Sequence, residues 1–319
     1  MRILRFLLRI FLRIRQICSL ALHSYQGVYN NFIFLTNYNF IQMVIGVDLG
    51  GTNLRAGYIE NGVITSVNQA LLIEKDSVQK TISQLISVIA PLVKNGTRGI
   101  GVGVPSVVDI QNGIVFDVVN IPSWKRVELK KILETEFKIP VSINNDVNCF
   151  ALGEHKYGQA KSFSSFVALA LGTGLGAGII INNALYCGNN CGAGEIGLLP
   201  YLDKKFEFYT SSPFFESMFS TTALKAHGGA LSSDARSLEI WVQYGFHLGN
   251  VIKAVAYTYD PEAIILGGSI SKAFAFFEEP MRQALGDFMY PETIKRLKII
   301  KSQTEDIALL GAAALVNID

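Results

Sequence analysis

Charged residues and cysteines are scarce in this chain of 319 residues. Lys, Arg, Asp and Glu together make up 17% of it and hydrophobic residues 50%, a balance that excludes a disordered, solvating chain. Four cysteines are too few for a disulfide scaffold of this length, which favours a reducing, cytoplasmic compartment. Cys187 and Cys191 could form half of a metal site, but buried thiols are the favoured interpretation because no further Cys or His lies close downstream.

Charge of either sign is nearly balanced, yet it is unevenly distributed. The chain has 28 basic and 26 acidic residues, and residues 1–42 hold five of the arginines with no Lys, Asp or Glu. Residues 43–319 therefore carry 23 basic and 26 acidic side chains. This mildly acidic body has no basic stripe for nucleic acid.

Residues 1–42 differ in character from the rest of the chain. Four of their arginines are spaced by three or four residues, as in a basic amphipathic helix at a membrane surface. The segment is too charged for a transmembrane span and lacks the apolar core of a secretory signal. We interpret it as a non-core extension, upstream sequence before a natural start at Met43. A membrane-contacting extension and a targeting peptide are the alternatives, and no membrane contact is expected for residues 43–319.

From Met43 onward the hydrophobic pattern predicts strands and tight turns. Residues 44–48 read as a buried strand, residues 49–53 as a Gly-rich turn and residues 55–60 as a second strand. Asn61-Gly62 is typical of a hairpin turn. Asp76 is then expected to cap a helix with an apolar face.

The opening unit recurs about 121 residues later. Residues 166–171 again form an apolar strand, residues 172–174 a Gly turn and residues 175–181 a returning strand. A repeated hairpin unit at this separation indicates two similar domains. The matching positions are Gly51 with Gly172, Thr52 with Thr173, Ala56 with Ala177, Gly57 with Gly178 and Asn61 with Asn182.

Three Gly turns are candidate phosphate sites, because backbone N–H groups without side chains can approach an anion closely. One Gly turn is weak evidence, but two in matched contexts and a third after an apolar run are stronger. None of them is a P-loop or a dinucleotide fingerprint. The turns are Gly50-Gly51-Thr52, Gly172-Thr173-Gly174 and Gly267-Gly268.

Three acidic residues are candidates for chemistry. Asp146 follows a strand end between amide side chains, where its carboxylate could meet a substrate hydroxyl; the alternative is a cap for the helix at 149–157. Asp48 ends the first strand and could hold hydrated Mg²⁺ near phosphates or simply stabilise its turn. Glu195 lies in a Gly-rich loop with no hydrophobic face to serve.

Several motifs occur in a fixed order along residues 43–319, and together they resemble the ROK family of sugar kinases and repressors, within the actin-like ATPase superfamily. Each motif alone is unspecific, but their order and spacing are highly specific. They are Asp48-Leu49-Gly50-Gly51-Thr52-Asn53, Gly103-Val104-Pro105, Asn120-Ile121-Pro122-Ser123-Trp124, Asn145-Asp146-Val147-Asn148, Leu171-Gly172-Thr173-Gly174-Leu175-Gly176, Ala193-Gly194-Glu195-Ile196-Gly197 and Leu266-Gly267-Gly268.

The resemblance implies an α/β fold of two actin-like (ribonuclease H-like) lobes, with mixed sheets flanked by helices and a cleft between the lobes. An N-terminal lobe would comprise residues 43–148 plus about 303–319, and a C-terminal lobe residues 149–302. ATP, Mg²⁺ and a sugar would bind in the cleft. A homodimer is the default expectation for the assembly.

The resemblance also implies roles for individual residues. Asp146 would be the general base and Asp48 would hold Mg²⁺, directly or through water. The residues expected to bind the sugar are Asn120, Asn145, Asp146 and Glu195, with Glu207 as a further sugar carboxylate. Those expected to bind ATP and its phosphates are Gly50, Gly51, Thr52, Asn53, Gly172, Thr173 and Gly174, with Gly267 and Gly268 on the adenosine side.

One departure from the family pattern concerns a structural zinc. Family members usually follow the Gly-Glu-Ile-Gly run with a His, which also touches the sugar, and then with zinc-binding cysteines. Here Leu198 follows, and no Cys or His occurs before Ser220. We therefore expect no structural zinc, with aromatic packing of residues 200–209 in its place, and the identity of the sugar stays open.

The resulting hypothesis is an ATP-dependent kinase for a glucose-like hexose. An N-acetylglucosamine or N-acetylmannosamine kinase and a non-catalytic sugar-binding sensor are the alternatives. A repressor of the same family is disfavoured, because residues 1–42 are short and apolar and lack the chemistry of a recognition helix.

Overall fold

The computed structural model describes residues 43–218 and 235–316. The predicted extension at residues 1–42 lies outside the described residues. Within them the strands form two five-stranded sheets, a three-stranded sheet and a two-stranded sheet. The two small sheets consist of β5 (Val108–Asp109), β6 (Ile114–Phe116) and β7 (Arg126–Val127), and of β12 (Pro200–Tyr201) and β13 (Lys204–Lys205).

The first large sheet has the order β3-β2-β1-β4-β8. Its first three strands are antiparallel neighbours, whereas β4 is parallel to both β1 and β8. The sheet is therefore mixed. Its strands are β1 (Met43–Leu49), β2 (Asn53–Glu60), β3 (Val63–Leu71), β4 (Gly99–Val104) and β8 (Val141–Asn145).

The second large sheet repeats this topology with the order β11-β10-β9-β14-β15. Here β9 and β10 are antiparallel, and β14 is parallel to both β9 and β15. The internal repeat predicted from the sequence is confirmed, because each sheet opens with the same hairpin. The strands are β9 (Phe166–Leu171), β10 (Leu175–Ile181), β11 (Ala184–Leu185), β14 (Ala263–Gly267) and β15 (Lys298–Lys301).

The helices flank the two sheets. Three short 3₁₀ turns accompany them, at Ala90–Leu92, Ile196–Leu198 and Ile270–Ala273. The described α-helices are α1 (Val78–Ile89), α2 (Leu129–Phe137), α3 (Asp146–Lys156), α4 (Phe206–Thr210), α5 (Ser212–Met218), α6 (Ala235–Tyr259), α7 (Phe274–Ala284), α8 (Pro291–Arg296) and α9 (Ile307–Ala313).

Helices α3 and α9 pack against each other between the sheets. Helix α3 follows the first sheet but contacts β9 and β10 of the second, whereas α9 follows the second sheet and contacts β1, β2 and β4 of the first. The packing is close: a Cβ on Gly101 of β4 would lie 1.7 Å from the backbone oxygen of Ala312 in α9. Glycine at this position lets α9 reach the sheet.

Local signals explain the turns and one helix start. Asn61 and Gly62 have positive φ, as do Asn182 and Asn183 in the equivalent turn, in agreement with the hairpin predictions. The cap prediction for α1 is wrong by one residue. Ser77, not Asp76, is the N-cap, because its side chain accepts from the backbone N–H of Lys80 at 3.5 Å.

The predicted fold class, mixed sheets flanked by helices, is confirmed. The division into lobes at residues 43–148 with 303–319 and at 149–302 stays a prediction. No helix in the described part of the chain combines the length and apolar character needed to cross a bilayer.

Candidate functional site

A cavity of about 730 Å³ opens where the two sheets approach each other. Asp48 at the end of β1 and Asp146 at the start of α3 line one side of it, and Gly267 and Gly268 line the other. Residues 302–308, which lead into α9, line a third side. The structure thus brings together two predicted acidic residues and one predicted Gly turn.

Asp48 and Asp146 reach the cavity because their strands run in parallel. Strand β4 lies between β1 and β8, and Gly103 is paired with Asp48 on one side and with Asn144 on the other. The carboxyl ends of these strands therefore meet at one edge of the sheet, the usual position of ligand sites in open α/β sheets.

Asp146 titrates far from the ordinary range of an aspartate. Burial, with a contribution from the negative charges of Asp48 and Glu195, raises its pKa to about 7, although the backbone N–H of Val147 donates to its carboxylate. A carboxyl poised near neutral pH can accept and release a proton under working conditions.

Asn145 performs the capping role that was the alternative for Asp146. Its side-chain oxygen accepts from the backbone N–H of Val147 at 2.8 Å and of Asn148 at 3.3 Å, and its amide donates to the carbonyl of Ser106. Asp146 is the first helical residue. Its carboxylate is consequently not consumed by the cap.

Glu195 and Glu207 extend the acidic group. Glu195 precedes the 3₁₀ turn Ile196–Leu198, and partial burial together with the negative charge of Glu207 raises its pKa. Glu207 is in the first turn of α4 and lies against the second Gly turn, since a Cβ on Gly174 would be 3.2 Å from its carboxylate. The charges of Asp48 and Glu195 thus raise the pKa of Asp146, and the charge of Glu207 raises the pKa of Glu195.

The first Gly turn does not line the cavity. Its geometry is fixed by a backbone hydrogen bond from Gly50 to Asn53 at 2.9 Å, and Thr52 accepts from Leu72 at 2.8 Å. The side chain of Asn120 lies on this turn, because a Cβ on Gly51 would be 2.6 Å from its amide nitrogen. The structure thus places the predicted sugar ligand Asn120 beside the predicted phosphate loop at 50–53.

The second and third Gly turns are neighbours. A Cβ added to Gly172 would lie 3.8 Å from the hydroxyl oxygen of Ser269, the residue that follows Gly267-Gly268. Ser212 donates to the carbonyl of Gly172 from both its backbone and its hydroxyl. Gly268 has φ of 84° and could not carry a Cβ, since this atom would lie 2.3 Å from the carbonyl of Leu171.

Four charged cavity residues escaped the sequence analysis: Arg55, Lys272, Glu305 and Asp306. Arg55 lies opposite Asp48 in the β1–β2 register, and its Nη2 is 2.7 Å from Oδ1 of Asp306, just before α9. Arg55 lowers the pKa of Asp48, against the larger effect of burial, which raises it. One sequence signal could have identified Arg55 as a functional residue: it is a charged residue inside the buried run 54–58.

The donor set at the cavity suits a hydrated hard cation better than a caged metal. Among residues 43–218 and 235–316, no three His, Cys, Asp or Glu side chains converge to hold a metal ion. Mg²⁺ usually takes only one or two protein carboxylates and completes its octahedron with water and phosphate. Asp48 and Asp146 fit that requirement.

Aromatic side chains fill the segment after Glu195. Tyr201 stacks on Phe206 with ring centroids 4.4 Å apart and meets Tyr209 edge-on. Its hydroxyl is 3.2 Å from Nδ1 of His247 on α6. The expected aromatic packing of residues 200–209 is present, and Leu198 is exposed at the end of its 3₁₀ turn. The expectation of no structural zinc stays a prediction.

Comparisons with known proteins give a consistent result. The sequence pattern of the ROK family matches residues 44–318. A glucokinase from Thermotoga maritima is 28% identical over 311 residues, covering 86% of this chain and 97% of the relative. A xylose repressor from Bacillus spizizenii is 27% identical, covering 85% of this chain and 76% of the repressor.

The fold is shared with a solved structure of a ROK family glucokinase from Streptomyces griseus in complex with glucose and AMPPNP. The TM-score is 0.73, and the match covers 86% of this chain and 99% of the other at 23% identity. At this identity the likeness extends to the fold alone.

Proposed function

The chain belongs to the ROK family, and on that premise we propose that it is an ATP-dependent sugar kinase. It would transfer the γ-phosphoryl group of ATP to a hydroxyl of a glucose-like hexose. Asp146 would be the general base. The named relatives include both a kinase and a repressor, so the proposal relies on the site rather than on the family.

One observation carries the proposal: Asp146 faces a cavity with its carboxylate free of the helix cap and its pKa at about 7. A sugar hydroxyl is a poor nucleophile, and a positioned base that takes its proton accelerates transfer by roughly 10²–10⁴-fold. A sugar-binding protein without catalysis has no need of a base near neutral pH.

In the proposed mechanism the chain holds the acceptor hydroxyl against Oδ1 or Oδ2 of Asp146. The carboxylate takes the proton as the phosphoryl group is transferred. Asn145 fixes the backbone from which Asp146 projects. Asp146 begins helix α3, so its carboxylate lies beside the positive end of the helix dipole. Protonation removes the negative charge from that position.

Asp48 would hold Mg²⁺, directly or through water, with Asp146 nearby. When bound, the ion neutralises charge on the transferring phosphates. Arg55 and Lys272 place two cationic groups on the cavity wall, where they would attract the nucleotide phosphates. Residues 50–53, residues 172–174 and Gly267-Gly268 would offer backbone N–H groups to ATP.

The sugar would be recognised by amide and carboxylate side chains. Asn120, Asn145, Glu195 and Glu207 are the proposed ligands, together with Asp146. Each pairs donors or acceptors with hydroxyl groups, and a site of this kind rejects analogues that lack the hydroxyl because its polar groups are then left unpaired.

The acceptor sugar is tested by ADP release with glucose, N-acetylglucosamine, N-acetylmannosamine, fructose, mannose and allose. Glucose is expected to give the highest kcat/KM. A preference for either N-acetylhexosamine would replace the glucose-like assignment and keep the kinase. Calorimetry with the same sugars separates the sensor alternative, for which a sugar binds while no ADP is released.

A cytoplasmic homodimer without nucleic acid partners completes the proposal. Light scattering of the purified chain gives the mass of the assembly. Retention of DNA by the protein in a mobility-shift assay would instead favour the repressor alternative.

A further inference from the structure

Two cysteines meet beside the base-bearing helix. Cys187 and Cys191 lie on the loop between β11 and Glu195, and both thiols approach the side chains at the junction of β8 and α3. The amide nitrogen of Asn148 is 3.6 Å from Sγ of Cys187 and 3.7 Å from Sγ of Cys191. Sγ of Cys191 is 3.3 Å from Oδ1 of Asn144.

The loop geometry holds the two sulfur atoms close together. Both sulfur atoms approach one side-chain oxygen, since Oδ1 of Asn144 is 3.9 Å from Sγ of Cys187 and 3.3 Å from Sγ of Cys191. The backbone N–H of Ala193 donates to the carbonyl of Cys187 at 3.1 Å, and Gly188 and Cys191 both have positive φ. The loop thus folds back on itself between the cysteines, as a short intrachain disulfide requires.

The two thiols differ in exposure and acidity. Cys187 is half-buried, whereas Cys191 is buried. The neighbouring Cys187 thiol lowers the pKa of Cys191, against the effect of burial. A thiolate next to an accessible thiol is the arrangement of a redox-active dithiol.

We propose that Cys187 and Cys191 form a reversible disulfide on reaction with a low-molecular-weight disulfide, and that this oxidation lowers phosphoryl transfer. The accessible Cys187 gives up its proton and attacks one sulfur of the oxidant, whose S–S bond breaks, and the departing thiolate takes that proton. Cys191 then loses its proton and attacks the Cys187 sulfur of the mixed disulfide, releasing the second thiolate. Two cysteine thiols are oxidised, and the small disulfide is reduced to two thiols that take both protons.

The effect on transfer rests on the proposed function. Sγ of Cys191 lies 3.3 Å from Oδ1 of Asn144, and the same oxygen accepts from the backbone N–H of Asn145, the residue that caps α3 and precedes Asp146. Bonding this sulfur to Cys187 draws it away from Oδ1 of Asn144. Glu195 follows on the same loop, so oxidation displaces a proposed sugar ligand and the support of the base together.

The disulfide is tested on the full chain with glutathione disulfide, followed by trypsin and mass spectrometry. Both cysteines fall on one tryptic peptide, residues 162–204, whereas Cys18 and Cys149 fall on others. The peptide should lose the mass of two hydrogens and regain it with dithiothreitol. Cys187→Ser should abolish this shift, and Cys18→Ser, the matched control, should keep it. Two unmodified thiols on this peptide after oxidation would overturn the proposal.

Activity is measured on the same samples. ADP release should fall at least fivefold on oxidation of the wild type and of Cys18→Ser, recover with dithiothreitol, and stay constant in Cys187→Ser. A formed disulfide with unchanged turnover would overturn the regulatory part. If the reduced chain releases no ADP with any sugar, the proposed function fails, while the peptide mass still decides whether the dithiol is redox-active.

Discussion

Asp48 near the end of β1 and Asp146 directly after β8 lie on either side of β4 and face one cavity, so the charge of Asp48 raises the pKa of Asp146. Burial is the larger cause of that shift. Neither residue is near the other in sequence. The coupling arises because two parallel strands deliver both carboxylates to the same sheet edge.

The pH dependence of turnover should report this coupling. Only ionised Asp146 accepts a proton, so kcat/KM is expected to rise with pH and level off above about 7, the pKa of this group. In Asp48→Asn the rising limb should move to lower pH, because a charge that raises the pKa of Asp146 is gone. If the rising limb of the kcat/KM profile lay at the same pH in both proteins, whatever their absolute rates, the assignment would be contradicted.

Thermal stability should also depend on the ionisation of Asp146. The pKa of Asp146 is higher in the folded than in the unfolded chain, so its contribution to stability is present at low pH and is lost as pH rises toward about 7. Asp146→Asn stays neutral throughout. Its Tm should therefore gain several degrees on the wild type between about pH 5 and pH 8. A difference in Tm that is constant or narrows over this range would show that the folded-state pKa is not raised.

The ion pair between Arg55 and Asp306 should contribute to stability. The side chains are 31% and 29% exposed, so solvent screens the pair only in part. A double-mutant cycle of Arg55→Met and Asp306→Asn, followed by urea unfolding, should give a coupling of about 1 kcal/mol. Glu305→Gln, at a carboxylate with no ion pair among the described residues, is the control and should add to Arg55→Met without coupling. Equal coupling in both cycles would contradict the pairing.

The purified protein should contain no structural zinc. Leu198 stands where the family usually has a His, and no Cys or His follows it before Ser220. His247 on α6 contacts the hydroxyl of Tyr201 through Nδ1. Elemental analysis of the purified chain should find no stoichiometric zinc, and a chelator should leave the Tm unchanged. One zinc per chain, lost together with folding on chelation, would refute this prediction.

The repeated architecture was within reach of the sequence because its signals are local. Asn61-Gly62 and Asn182-Asn183 mark hairpins by their tolerance of positive φ, and apolar runs mark β9 and β10 with the bounds that the structure has. Ser77 rather than Asp76 caps α1, since both side chains can cap a helix and only the backbone decides between them.

The remaining features depend on tertiary contacts. Asp306 meets Arg55 only because α9 crosses from the second sheet to the first. Similarly, Cys191 reaches Asn144 only through the packing of its loop on the end of β8. No local pattern encodes such pairs, so Arg55, Lys272 and Asp306 were missed.

The turnover of Asp146→Asn with saturating sugar and ATP tests the central claim most directly. The amide keeps the shape of the side chain but cannot take the proton, so kcat should fall by roughly 10²-fold or more, while calorimetry should find sugar affinity within a few-fold of the wild type. Asp146 would not be the general base if the variant kept more than about a tenth of the wild-type kcat.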